Sequence, residues 1–472
     1  MRLFIMFNCT RITQRKVQPF YQLNLFENKE HPLKEQQFVL NKIENKLSFE
    51  KALNLSDLVH FQLSSITPIQ RWYPYREGFS IKLVDTFIKE LCVKGNVFDP
   101  FVGSGTTLLS SRNHNLQSFG IDVNPISISV SEIANENYSK IDVKRIKDAL
   151  KIILNETSIE NKIETNFELA EKVFNKDILQ VLLNLKMLIN EIQVEKNKKL
   201  IFVAWLSILE QVSNVKKEGN GIKYKNRKRT SNGYIPIDKE TWENNNFPKD
   251  KVAFVKSVFN KKMNIILNDV YNNFGLIKKK PRIFRENCIN FNKLFNDEIE
   301  FTFFSPPYCN SFDYFEIHKV ELWLGDYIKS KKELRLLKNS GFRSNTNALN
   351  GKAIYYSNPD VENLIGLFDY KKLWNKRIPN VVRGYFDDMY QLLRKLYFQT
   401  VKNGFVGIVV GNSAYSEIII PTDAIIANIA KEIGFNLKKI LVTRHLTTSS
   451  QQKIALASLN NYLRESIIIL QK

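Results

Sequence analysis

The chain holds 472 residues, and 69 Lys and Arg against 48 Asp and Glu leave a net charge of +21. A 43% hydrophobic share with 12% aromatics excludes a wholly disordered protein, and the length suits roughly two to four domain-sized units. Only 25% of residues are charged, so the excess is one of sign, and it favours nucleic acid or another anionic partner. No apolar run approaches the roughly 20 residues of a membrane helix, and the opening MRLFIMFN lacks the cleavage site of a signal peptide. Cys9, Cys92, Cys288 and Cys309 form no CxxC pair and have no clustered histidines, so neither a disulfide framework nor a metal site is expected, and a cytoplasmic location fits.

In chain order, residues 1–60 read as an amino-terminal extension without a usable motif. Helical spacing covers 81–93, followed by a short buried strand at 96–101, a glycine turn, a helix and a second strand at 118–123. That succession opens a parallel α/β sheet. From about 140 to 275 the periodicity is helical, interrupted by a mobile basic loop at 215–229. Strand patterns return at 282–287 and 298–308, 326–380 is polar and irregular, and 385–402 reads as a helix. A strand at 405–412, a helix near 422–433 and two closing strands, KKILVTRH and ESIIILQK, complete the chain. The organisation expected is a sheet in three parts (61–135, 281–325 and 385–472) split by a large, mostly helical insertion at 136–280 and a second insertion at 326–384.

Two constellations carry chemistry. The first is DPFVGSGTT, Asp99 to Thr107, at a strand-to-helix turn. Glycines there admit a ligand close to the backbone, and the helix amino terminus offers unpaired N–H groups. Asp122, one helix and one strand later, suits a ribose diol. No Gly-Lys-Ser/Thr follows, so the turn is not a phosphate loop. The second is Ser305-Pro306-Pro307-Tyr308 after the apolar IEFTFF. Its prolines remove backbone donors and leave acceptors beside an aromatic ring. A planar ring bearing an amino group, such as a nucleobase, matches that surface.

Together these motifs resemble the S-adenosylmethionine-dependent amino-methyltransferases of DNA. RWYPYREGFS at 71–80, SPPYCNSFDYFEIHKVELWL at 305–324, GIVVGNS at 407–413 and RESIIIL at 464–470 extend the resemblance. It implies an α/β, Rossmann-like, seven-stranded methyltransferase sheet and S-adenosyl-L-methionine as cofactor. Carried onto this chain, it places Gly103 and Gly105 by the methionine part of the cofactor, Asp99 by its amino group and Asp122 on the ribose. Asn124 borders the adenine, Asn287 stands where an acidic residue is usual, and Phe101, Thr106 and Tyr75 complete the pocket. Serine at the head of the tetrapeptide resembles the cytosine-N4 branch. Ser305, Pro306, Pro307 and Tyr308 are then the catalytic residues, acting on a flipped-out base by direct transfer without a covalent enzyme intermediate. The implied partners are double-stranded DNA and a separately encoded restriction endonuclease, with no membrane and no metal.

The basic loop supplies the candidate phosphate contacts Lys216, Lys217, Lys223, Lys225, Arg227, Lys228 and Arg229, and the stretch 329–343 is a second basic candidate. Other readings of the same residues are adenine-N6 methylation of DNA, guanine-N2 methylation of RNA, and an inactive DNA-binding protein on this scaffold. An endonuclease is unsupported, because no PD…ExK pair stands in a strand context.

Overall fold

The computed structural model describes residues 32–160, 162–219, 221–231, 233–272, 278–349, 351, 353–447 and 454–472. Cys9, the MRLFIMFN opening and most of the expected amino-terminal extension lie outside them. In chain order the strands are β1 (Phe49–Lys51), β2 (Val97–Asp99), β3 (Ser118–Asp122), β4 (Val215–Glu218), β5 (Gly221–Tyr224), β6 (Arg227–Thr230), β7 (Gly233–Pro236), β8 (Arg282–Arg285), β9 (Ile299–Phe304), β10 (Thr400–Gly411), β11 (Ser413–Tyr415), β12 (Ile418–Ile420), β13 (Asn436–His445) and β14 (Arg464–Gln471).

Eight of them form one sheet, in the order β1-β13-β14-β10-β9-β2-β3-β8. β14 alone runs antiparallel to its neighbours β10 and β13, and the remaining pairings are parallel. Among the described residues the sheet has eight strands where seven were expected. The extra one is β1, three residues that pair with β13 at the edge, too short for a period-two pattern to mark in the sequence. The mixed α/β, mainly parallel architecture is compatible with a Rossmann-like methyltransferase fold.

The central strands are apolar on both faces, as helix-covered parallel strands must be. Phe98, Phe119 and Ile121 face one core with helices Ile378–Gln399 and Thr422–Ile433, while Val97, Phe301 and Phe303 face the helix Ile81–Glu90. The insertion helices Lys140–Glu156, Lys176–Asn190, Glu195–Ile208 and Lys251–Asn272 share a third core with Trp72, Tyr73 and Leu322. That insertion is therefore packed through large apolar side chains against the helix Pro125–Ala134 and the segment holding Trp72 and Tyr73.

Two expectations change. The basic stretch read as a mobile loop is built as two antiparallel hairpins, β4–β5 and β6–β7. Residues 326–380, read as irregular, contain helices Lys331–Ser340 and Pro359–Gly366. The first of these is short and mostly polar, with Leu334 and Leu337 buried on one face.

Candidate active site

Chain order within the sheet reverses at β2 and β9, which are neighbours and parallel. In open α/β sheets ligands bind outside the carboxyl ends of strands at such a switch point. A cavity of about 460 Å³ lies there, lined by the turn after β2 (Asp99 to Ser104, with Thr106), by Asp122 to Asn124, and by Ser305 to Tyr308 after β9.

On the β2 side, Phe101 N–H donates to Asp99 Oδ1 at 2.9 Å. Asp122 accepts from Gly103 N–H at 3.1 Å and from Asn124 N–H at 2.8 Å, so the carboxylate joins the turn to the start of the next helix. Asn124 caps that helix, Pro125–Ala134, by accepting from Ile126 N–H at 3.1 Å. Burial pushes the Asp99 carboxyl up to about 7 and that of Asp122 up to about 6, opposed at Asp122 by its backbone donors. Gly103 has φ +49°, and a Cβ there would sit 2.8 Å from the Tyr75 ring. Tyr75 stacks on His318 with centroids 5.8 Å apart.

Gly105 serves differently from the reading above. A Cβ there would lie 2.6 Å from Ser131 Oγ, on the side of the Pro125–Ala134 helix. Its φ of +85° turns the chain into the helix Thr106–Asn113, and its missing side chain lets two helices meet. Asn287, expected at the adenine edge, is largely committed: it accepts from Ile289 N–H and donates to the Ser340 carbonyl at 2.7 Å. Its neighbour Glu286, directly after β8, also lines the cavity and was overlooked although it is the acidic residue of that segment.

On the β9 side, Tyr308 donates its hydroxyl to Glu465 Oε1 at 2.6 Å, and Arg444 holds the other carboxylate oxygen at 2.6 Å. Tyr314 accepts from Tyr308 N–H at 3.2 Å. A Cβ on Gly411 would meet the Tyr308 ring at 2.8 Å, so one ring face lies against the end of β10. Burial beside Glu465 pushes the Tyr308 phenol well above its ordinary value. Pro306 is buried, whereas Ser305 and Tyr308 remain partly accessible at the cavity. Cys309 is fully buried, as packing would have it.

Sequence reasoning passed over Glu77, His318, Arg444 and Glu465, which long-range folding brings to the site. Glu77 lines the cavity, and its Oε2 is buried with no hydrogen-bond partner among the described residues. Burial raises its pKa, opposed by Lys217.

The cations of the two hairpins divide. Lys217 is buried and pairs with Glu321 at 2.5 Å, with His318 Nδ1 3.2 Å away, so its charge is matched within the fold. Lys216, Lys223 and Arg227 converge on Glu218 at 2.5, 3.3 and 3.6 Å. Lys225 donates to the carbonyls of Glu210 and Ser213. Lys228 and Arg229 are exposed on β6. In the second basic stretch, Lys338 pairs with Asp313 at 2.9 Å, and Arg343 is buried between Asp387 and Asp388. Among the described residues no group of three or more His, Cys, Asp and Glu could hold a metal ion, and no helix is long and apolar enough to cross a membrane.

No protein-family model matches the chain. It is 26% identical over 405 residues to the type II methyltransferase M.AvaI of Anabaena variabilis, covering 82% of this chain and 83% of that protein. It is 28% identical over 470 residues to the type II methyltransferase M.BsoBI of Geobacillus stearothermophilus, covering 88% of each. A shorter match, 30% identical over 115 residues, links it to the type II methyltransferase M.MjaII of Methanocaldococcus jannaschii, covering 24% of this chain and 21% of that protein.

Proposed function

We propose that this protein is a DNA methyltransferase that moves the methyl group of S-adenosyl-L-methionine to N4 of a cytosine flipped out of duplex DNA. We further infer that it is the modification enzyme of a restriction–modification system whose nuclease is a separate protein. The observation that carries this reading is the joining of the glycine turn after β2 and the tetrapeptide after β9 in one cavity. Similarity to type II methyltransferases over most of the chain supports it.

The residues of the β2 side fit the cofactor. A left-handed glycine turn, the amino terminus of an eight-residue helix and several carboxylates border a space large enough for a nucleoside. Asp122 and Asn124 take the ribose and adenine end, with Glu286 and Asn287 also lining the cavity. When bound, the cofactor supplies an electrophilic methyl group. On the β9 side, the Ser305 hydroxyl and the Pro306 carbonyl accept the N4 hydrogens of the base. Those bonds draw the lone pair out of conjugation and stabilise the positive charge that grows on nitrogen. Tyr308, clamped by Glu465 and Arg444, offers a fixed ring face for the extruded base.

The test is to incubate purified protein with duplex DNA and methyl-labelled cofactor, then digest the DNA to nucleosides. Label in N4-methylcytosine is expected. Label in N6-methyladenine, or none, overturns the substrate assignment. In the same assay Ser305→Ala should lower kcat by about 100-fold or more, the scale set by losing an acceptor at a developing charge, with cofactor binding retained.

A further inference from the structure

The acceptors around the β2 turn are mostly in use. Asp122 spends both oxygens on backbone N–H groups, and Asp99 Oδ1 accepts from Phe101 N–H. Glu77 differs, because its Oε2 faces no hydrogen-bond donor among the described residues. His318 Nε2 is 3.9 Å away, too far for a hydrogen bond. Burial beside Lys217 and Arg76 also keeps that imidazole neutral. Lys217 is engaged with Glu321 instead. A buried carboxylate oxygen left in this state is costly, and a site that retains one expects a donor from outside.

Position says which donor. The segment carrying Glu77 runs beside the start of the helix Thr106–Asn113: Gln70 donates to Thr106 Oγ1 at 3.0 Å, and a Cβ on Gly78 would lie 3.8 Å from Ser104 Oγ. A helix amino terminus attracts a carboxylate. A carboxylate acceptor beside it attracts the ammonium that an α-amino acid carries one carbon away. A sulfonium has no N–H to offer, and the ribose hydroxyls are assigned above to Asp122. We infer that Glu77 is the residue that receives the α-ammonium of the cofactor's amino-acid portion, in place of Asp99. The assignment rests on the cofactor reading proposed above and adds to it the carboxylate that recognises the zwitterion.

Calorimetric titration of the full-length protein tests this with two nucleosides that differ only at the amino-acid end. S-adenosylhomocysteine carries the ammonium, and 5′-methylthioadenosine lacks the amino acid altogether. Glu77→Gln should weaken S-adenosylhomocysteine by about tenfold or more, as loss of a charge-assisted hydrogen bond does, and leave methylthioadenosine within about twofold. The second ligand also reports that the variant's pocket is intact. Asp99→Asn should discriminate less between the two. An unchanged affinity of Glu77→Gln for S-adenosylhomocysteine overturns the assignment, as does equal weakening of both ligands. Wild-type protein that binds neither nucleoside overturns the cofactor reading itself, and this assignment with it.

Discussion

Asp99 and Asp122 stand at the ends of adjacent strands, where burial holds both carboxyls above their ordinary range, to about 7 and about 6. The sign of the consequence follows from proton binding. Between pH 3.8 and about 7 the folded protein keeps a proton on Asp99 that the unfolded chain has released. Stability therefore falls as pH rises through that window. Asp99→Asn removes the ionisation, so its stability relative to wild type should improve by about 3 kcal/mol between pH 4.5 and pH 8, read by urea unfolding of the ligand-free protein. A constant offset at the two pH values would mean that Asp99 does not titrate there. At this scale the residue types were legible: a glycine turn flanked by Asp99 and Asp122 and an acceptor-rich Ser305-Pro306-Pro307-Tyr308 announce their chemistry in one dimension. The direction a residue faces was not. Gly105 looks toward Ser131 rather than the cavity, and the empty valence of Glu77 depends on groups from residue 75 to residue 318.

The β4–β5 hairpin illustrates what an element can conceal. Its composition is that of a solvated basic loop, yet Val215 and Lys217 alternate inward while Lys216 points out. Lys217, Glu218 and Gly219 line the cavity of the site. Arg76 reinforces the contact by donating to the Lys217 carbonyl and pairing with Glu210 at 2.7 Å. Because Glu321 is buried, Lys217→Ala leaves an uncompensated charge and should cost about 3 kcal/mol. Lys217→Ala combined with Glu321→Gln should cost less than the sum of the two single changes, measured by a urea double-mutant cycle. Additive costs would mean that the pair is not coupled. The strand–turn–helix–strand unit from Val97 to Asp122 was readable because its apolar runs are short, dense and bounded by glycine. β1 was not, because three residues leave little pattern to detect.

Across the whole molecule the charge of +21 is not spread evenly between free and paired cations: Lys217 is matched by buried Glu321, whereas Lys216, Lys223 and Arg227 share the one carboxylate of Glu218 and leave an excess of positive charge there. Binding to non-specific duplex should still weaken linearly on a plot of log affinity against log salt. Replacing exposed Lys228 and Arg229 by Ala should reduce that slope by at most about 2, whereas a Lys217→Ala slope should match wild type. An unchanged slope in the double variant would remove β6 from the DNA-facing surface. The sequence by itself determined the alternating α/β class, the two motifs and the donor and acceptor chemistry of each, since these depend on residue type and local spacing. Tertiary structure alone decided that β2 and β9 lie side by side, bringing positions about 200 apart to one cavity, because strand order in a parallel sheet is set by crossover connections and shared packing rather than by any neighbour in the chain. It also decided which cations remain available to a phosphate, for an ion pair forms between partners that only the folded chain brings within reach.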